Sequence, residues 1–229
     1  MPAKHPLTPW SPSSYGLALH TASADLGLAI SNFSGDRRCQ TWALGRDLAS
    51  YLHLHLVEFL QPQTWQDLAF LAVARGPGGF TGTRIGVVTA RALAQQLDIP
   101  VFGISTLAAA AWQARELAPE VAIAVQMRAQ RGELFCAIYQ PTAEGLQPIL
   151  PDTVLPPDQW RQKLEQQSQP HRLLLLEEGL AATVANLLEL AYLDWQRGKR
   201  PHWSEVLPFY GQHPVNDRAE QSHPTVEKS

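Results

Sequence analysis

Gly76, Gly78, Gly79 and Gly82, with Phe80, Thr81, Thr83 and Arg84 among and beside them, are the residues of this sequence best placed to do chemistry. The stretch 74–86 reads Ala-Arg-Gly-Pro-Gly-Gly-Phe-Thr-Gly-Thr-Arg-Ile-Gly. An apolar run, 68–74, precedes it, and Ile85, Val88, Ala92, Leu93 and Leu97 follow with helical spacing. A strand, a glycine-rich turn and a helix start can hold an anion, because exposed amides and the helix dipole converge there. The hydroxyls of Thr81 and Thr83 would add donors. Against a phosphate stands the lack of a Gly-Lys-Ser/Thr motif; Arg75 and Arg84 are the only local cations. The competing reading is a tight turn whose glycines let a helix approach a sheet closely, and it is the favoured one.

Other reactive residue types make weaker patterns. Ser105 and Thr106 stand where a strand meets a helix, a place for helix caps rather than nucleophiles. No Gly-x-Ser-x-Gly elbow accompanies them. His53 and His55 are two apart, which on a helix sends their rings to different faces. His171, His202 and His213 lie in separate segments. Cys39 and Cys136 are far apart in strand-like segments and read as buried free thiols. Thr21, Ser23 and Asp25 read as turn formers.

The elements that must position these residues follow from pattern. The chain has 229 residues, 45% of them hydrophobic, enough for one large domain or two small lobes. A net charge of −3 disfavours tight direct binding of nucleic acid. The sequence has no run long and apolar enough for a membrane span and no signal-peptide core, so a cytoplasmic protein is expected. Strands are expected at 15–20, 26–31 and 38–44, a helix at 47–60, a strand at 68–74, a helix at about 82–97, a strand at 101–104 and a helix at 106–117. The order returns with strands at 121–126, 134–140 and, more weakly, 146–150, a helix at 157–167, a strand at 171–176 and a helix at 180–196. Three strands, a helix, a strand and a helix thus occur twice. The expected division is a loose leader at 1–14, a first lobe at 15–118, a second lobe at 119–210 and a flexible tail at 211–229.

That duplicated order resembles the two ribonuclease-H-like lobes of the actin, sugar-kinase and chaperone-ATPase superfamily, an α/β class of mixed sheets covered by helices. The segment 76–86, with Leu97-Asp98-Ile99-Pro100-Val101-Phe102-Gly103-Ile104-Ser105-Thr106-Leu107 after it, resembles the TsaB (YeaZ) family. The resemblance implies a non-catalytic subunit of the bacterial machinery that makes threonylcarbamoyladenosine on tRNA. The partners it implies are a TsaD-like catalytic subunit and a TsaE-like ATPase, with tRNA met only through the complex and a homodimer when the chain is alone. No cofactor or metal is expected in the isolated chain, while the assembled complex uses ATP. By the same resemblance Gly76, Gly78, Gly79, Phe80, Thr81, Gly82 and Arg84 are candidates for the partner interface or the loop supporting it. The departures point the same way. His20 stands where TsaB-like chains often carry an acid, and Mg²⁺ prefers oxygen ligands. Thr106 and Ala110 stand where the catalytic sister family has two metal-binding histidines. Arg128, Gln130 and Glu178 replace further expected residues. Leu48, Leu52, Leu56 and Leu60 make one apolar helix stripe; Val88, Ala92 and Gln96 mark another helix, with small Ala90, Ala92 and Ala94 allowing close approach. Rival readings are an ATPase or kinase of the superfamily and a glycoprotease-like peptidase.

Overall fold

The alternation of apolar residues builds two sheets, seen in a computed structural model that describes residues 10–117 and 121–211. In the first, β1 (Tyr15–His20), β2 (Leu26–Ser31) and β3 (Arg37–Trp42) form an antiparallel meander. Strands β4 (Leu68–Ala74) and β5 (Val101–Ile104) extend it in parallel, giving the order β3-β2-β1-β4-β5. In the second, β6 (Ala122–Arg128), β7 (Leu134–Thr142) and β8 (Gly145–Leu155) repeat the meander and β9 (His171–Leu176) lies parallel to β6. Its order, β8-β7-β6-β9, repeats the first four positions without a fifth strand. The duplicated ribonuclease-H-like topology expected from the sequence is therefore present. Strand β8 is longer than the weak signal at 146–150; it is an edge strand, where Pro148 and Pro151 remove no ladder hydrogen bond that the sheet needs.

Side-chain alternation decides what covers each face. Leu17 and Leu19 point to the outer face of the first sheet, where α1 (Leu48–Leu60) lays Leu48, Leu52, Leu56 and Leu60 on them. Helix α2 (Phe80–Leu97) adds Val87, Ala90 and Ala94 to the same layer, and starts at Phe80 rather than at about 82. The inner face is paved with small residues, Ala18, Ala29, Ala72 and Ala74, which let α5 (Val184–Gln196) come close with Val184, Leu187, Leu188 and Ala191. Helix α3 (Thr106–Ala114) faces both ways: Ala109 and Trp112 join that inner cluster, while Leu107 and Ala111 meet Ile123, Val125 and Ala137 of the second sheet. Helix α4 (Pro157–Glu165) closes the far side through the fully buried Trp160.

Chain order and spatial order part company at both ends. Trp10 belongs to the expected leader, yet its ring sits 5.4 Å from Phe33 and 5.0 Å from Tyr192, and its Nε1 donates to the Asn32 carbonyl at 2.8 Å. The leader expectation therefore fails from Trp10 onward; 1–9 lie outside the described residues. Helix α5 falls in the segment assigned to the second lobe but covers the first sheet. The segment after it runs along the β5 edge, where the Val101 amide donates to the Pro201 carbonyl and the Phe209 amide to the Arg75 carbonyl. Gly211 was expected in the flexible tail but is wedged in the second lobe, where a Cβ would lie 2.4 Å from Val154 Cγ2. The rest of that tail, 212–229, lies outside the described residues. Cys136 is buried, and burial pushes its thiol up to about 12; Cys39 is exposed because β3 is an edge strand with one face to solvent.

Candidate functional site

The glycine segment joins β4 to α2, and what lies against it is protein. The turn after β1, Thr21-Ala22, is seated directly on the segment. The Gly79 amide donates to the Ala22 carbonyl at 2.8 Å, and Thr21 Oγ1 donates to the Gly82 carbonyl at 2.8 Å. A Cβ at Gly78 would lie 2.1 Å from the Ala22 oxygen, at Gly82 2.1 Å from the Thr21 oxygen, and at Gly86 2.1 Å from Thr21 Oγ1. The spacing 78, 82, 86 is thus a smooth track along one side of the helix start, on which the first turn rests. Gly76 has φ +100°, and a Cβ there would meet the Phe209 oxygen at 2.4 Å. On the other side Tyr210 packs over Phe80, with ring centroids 4.6 Å apart.

The candidate residues divide into two sets. Gly76, Gly78 and Gly82 face inward. Gly79, Phe80, Thr81 and Arg84 face solvent, with the Arg84 guanidinium 5.4 Å above the Phe80 ring. The outward set continues up α2 to Val88, which is 61% exposed, and Ala92. Beside it, α1 presents Tyr51, Leu54 and Val57, each about half exposed. These three were missed in the sequence, where the leucine stripe at 48, 52, 56 and 60 dominated; that stripe is the buried side. The signal was the i, i+3, i+6 spacing of a second apolar row on the opposite side of the helix.

His20, the last residue of β1, is fully buried. Neither ring nitrogen has a hydrogen-bond partner among the described residues. Burial lowers its pKa to about 4, so the imidazole is neutral. Thr106 and Ala110 are buried in α3. Among the described residues no cluster of three or more His, Cys, Asp or Glu could hold a metal. His53 is exposed and His55 stacks on Trp42, so the two rings do not converge. Arg128 is exposed, Gln130 begins a short 3-10 turn, and Glu177 and Glu178 are exposed.

Ser105 is engaged as a cap. Its Oγ accepts from the amides of Leu107 and Ala108 at 3.1 and 3.2 Å. The Tyr139 hydroxyl reaches it at 3.4 Å and also donates to Asp152. Burial first, then the Asp152 carboxylate, holds the Tyr139 pKa well above the usual phenol range. This chain of contacts ties the start of α3 to the second sheet and includes no histidine. Sequence pattern gave no warning of it, since Tyr139 and Asp152 meet only when β7 and β8 pair.

Comparison with known proteins follows the same lines. The model of the family "TsaD: tRNA N6-adenosine threonylcarbamoyltransferase" matches residues 60–194, more than half of the chain. A Bacillus subtilis protein named tRNA threonylcarbamoyladenosine biosynthesis protein TsaB is 35% identical over 105 residues, 46% of this chain and 45% of that protein. The Escherichia coli protein of the same name is 41% identical over 83 residues, 35% of each chain. The matched stretches span less than half the length of these curated relatives. Among solved structures, a Pseudomonas aeruginosa protein described as similar to the peptidase YeaZ superposes with TM-score 0.73 and 25% identity, covering 87% of this chain and 100% of its own. YeaZ from Pseudomonas aeruginosa gives TM-score 0.70 at 25% identity over 86% of this chain and 99% of its own.

Proposed function

The chain belongs to the threonylcarbamoyltransferase (TsaD) family, in its TsaB/YeaZ branch, and on that premise we propose that it is the docking subunit of a tRNA threonylcarbamoylation complex. It pairs with a TsaD-like catalytic protein, which transfers the threonylcarbamoyl group to the adenosine next to the anticodon. A TsaE-like ATPase joins the assembly, and ATP is consumed there. This chain supplies a surface and a rigid support, without chemical groups of its own. The observation that carries the reading is the exposed apolar face of Tyr51, Leu54 and Val57 on α1 and Phe80 and Val88 on α2. Soluble proteins seldom leave such a face bare. Aromatic and aliphatic anchors with an arginine at the rim, here Arg84, suit a protein partner. The glycine track supports the face from below, because it fixes α2 against the first turn. A nucleotide-cleaving role finds less support: a neutral histidine holds the first-strand position, and protein fills the space over the glycines.

Without its partner the chain uses the same face for a homodimer. Sedimentation of the chain alone and mixed with a TsaD-like protein tests this. The expected result is a homodimer that disappears as a heterodimer forms. A homodimer that persists inside the mixed complex would refute the shared surface.

A further inference from the structure

Beside β5, a cavity of about 610 Å³ opens between the strand edge, the end of α5 and the returning segment. Its apolar walls come from Phe102 and Ile104 of β5 and from Val206 and Leu207. Its basic side chains are Arg75, Lys199 and Arg200. Arg75 leaves the end of β4 and crosses β5 above Gly103, where a Cβ would lie 3.4 Å from Arg75 Cδ. Its guanidinium lies 5.9 Å from the centre of the Phe209 ring. Among the described residues it has no carboxylate within salt-bridge distance. Arg200 stacks on Trp195 at 3.4 Å and, among the described residues, donates to the carbonyls of Trp195 and Lys199. Its buried Nε has no partner among the described residues.

The two acids at the cavity are already engaged. Asp194 accepts from Arg197 and Lys199, and Glu205 accepts from the His202 amide. Among the described residues neither guanidinium at the cavity is ion-paired, and Glu205 is the one lining carboxylate without a cation on it. A partly desolvated guanidinium gains most from a planar oxyanion that takes its paired N–H groups. The volume falls in the range of small-molecule sites, and the position outside the carboxyl end of β4 is where open α/β sheets present ligands.

We infer that this cavity binds a small molecule bearing an oxyanion, phosphate or carboxylate, on an aromatic or apolar body. Arg75 and Arg200 hold the oxyanion, and Leu207, the exposed apolar side chain of the lining, receives the body. The site shares no residue with the proposed partner face, so it stands or falls independently of the pairing. Isothermal titration of the full chain with AMP, benzoate and inorganic phosphate tests it and separates the sources. AMP or benzoate is expected to saturate at millimolar concentration or below, more tightly than inorganic phosphate. Arg75→Gln is expected to weaken binding by about tenfold or more. Leu207→Asp, at a position 60% exposed and so tolerant of change, places a carboxylate in the cavity and is expected to abolish binding. The inference is overturned if none of the three probes saturates, or if binding survives both Arg75→Gln and Leu207→Asp.

Discussion

Acidification should act on this fold through His20. The imidazole is fully buried, has no partner for either nitrogen among the described residues, and has its pKa lowered by burial to about 4. An unfolded histidine titrates near 6.5, so the unfolded chain takes up this proton first as pH falls. The lowered pKa thus costs no stability above about pH 6.5; stability is lost between there and about pH 4, and no further below. The span of roughly 2.5 units corresponds to about 3 kcal/mol at 1.36 kcal/mol per unit. That is a large part of the roughly 5–15 kcal/mol available to a domain. Carboxylates also titrate in this range, so the comparison must be with His20→Leu, in which their contribution remains. Urea unfolding at pH 7 and pH 4 should show the parent losing about 3 kcal/mol more than the variant. At pH 7 the variant should match or exceed the parent, because two unsatisfied polar atoms are gone. Equal acid losses in the two proteins would refute the reasoning.

Three substitutions test the packing. Gly82→Ala gains about 1 kcal/mol of helix propensity but overpacks the Thr21 carbonyl, a cost of about 1–3 kcal/mol; calorimetry should show a lower melting temperature, and a higher one would contradict the glycine track. Ser105→Ala removes a cap and should cost about 1 kcal/mol in denaturant unfolding. The same variant should leave any proteolytic activity of a preparation unchanged, and activity that vanishes with it would revive the peptidase reading. Trp10→Ala should cost about 3 kcal/mol, since its ring touches Phe33, Phe70, Tyr192 and Trp195; an unchanged midpoint would mean the N-terminal segment does not hold the core.

Much of this architecture is legible because its signals are local. The alternation in Leu17-Ala18-Leu19 and the i+4 leucines of α1 each follow from one element's own period. The glycine segment is legible for the same reason, although its purpose is not. That Gly78, Gly82 and Gly86 carry the Thr21-Ala22 turn depends on β1 lying beside β4, which no local pattern states. Trp10 and α5 were misplaced for a related cause: pattern gives order along the chain, whereas the inner face of the first sheet recruits its cover from both ends. On α1, periodicity shows the strongest stripe, and that stripe is bound to be the core. The exposed row of Tyr51, Leu54 and Val57 gains meaning only once the leucines are seen buried. His20 could be identified as a departure from an acidic pattern, but its lack of partners is a property of the packed interior.

The proposed docking role is tested most directly by reconstituting tRNA modification. Threonylcarbamoyladenosine would be measured by mass spectrometry of tRNA treated with TsaD-like and TsaE-like proteins. The arms are the parent chain, no chain, and a Leu54→Glu, Val88→Glu double variant at positions 50% and 61% exposed. The account predicts modification with the parent alone, and a double variant that stays folded yet neither pairs nor supports the reaction. Full modification without the chain, or with a variant that no longer pairs, would contradict it.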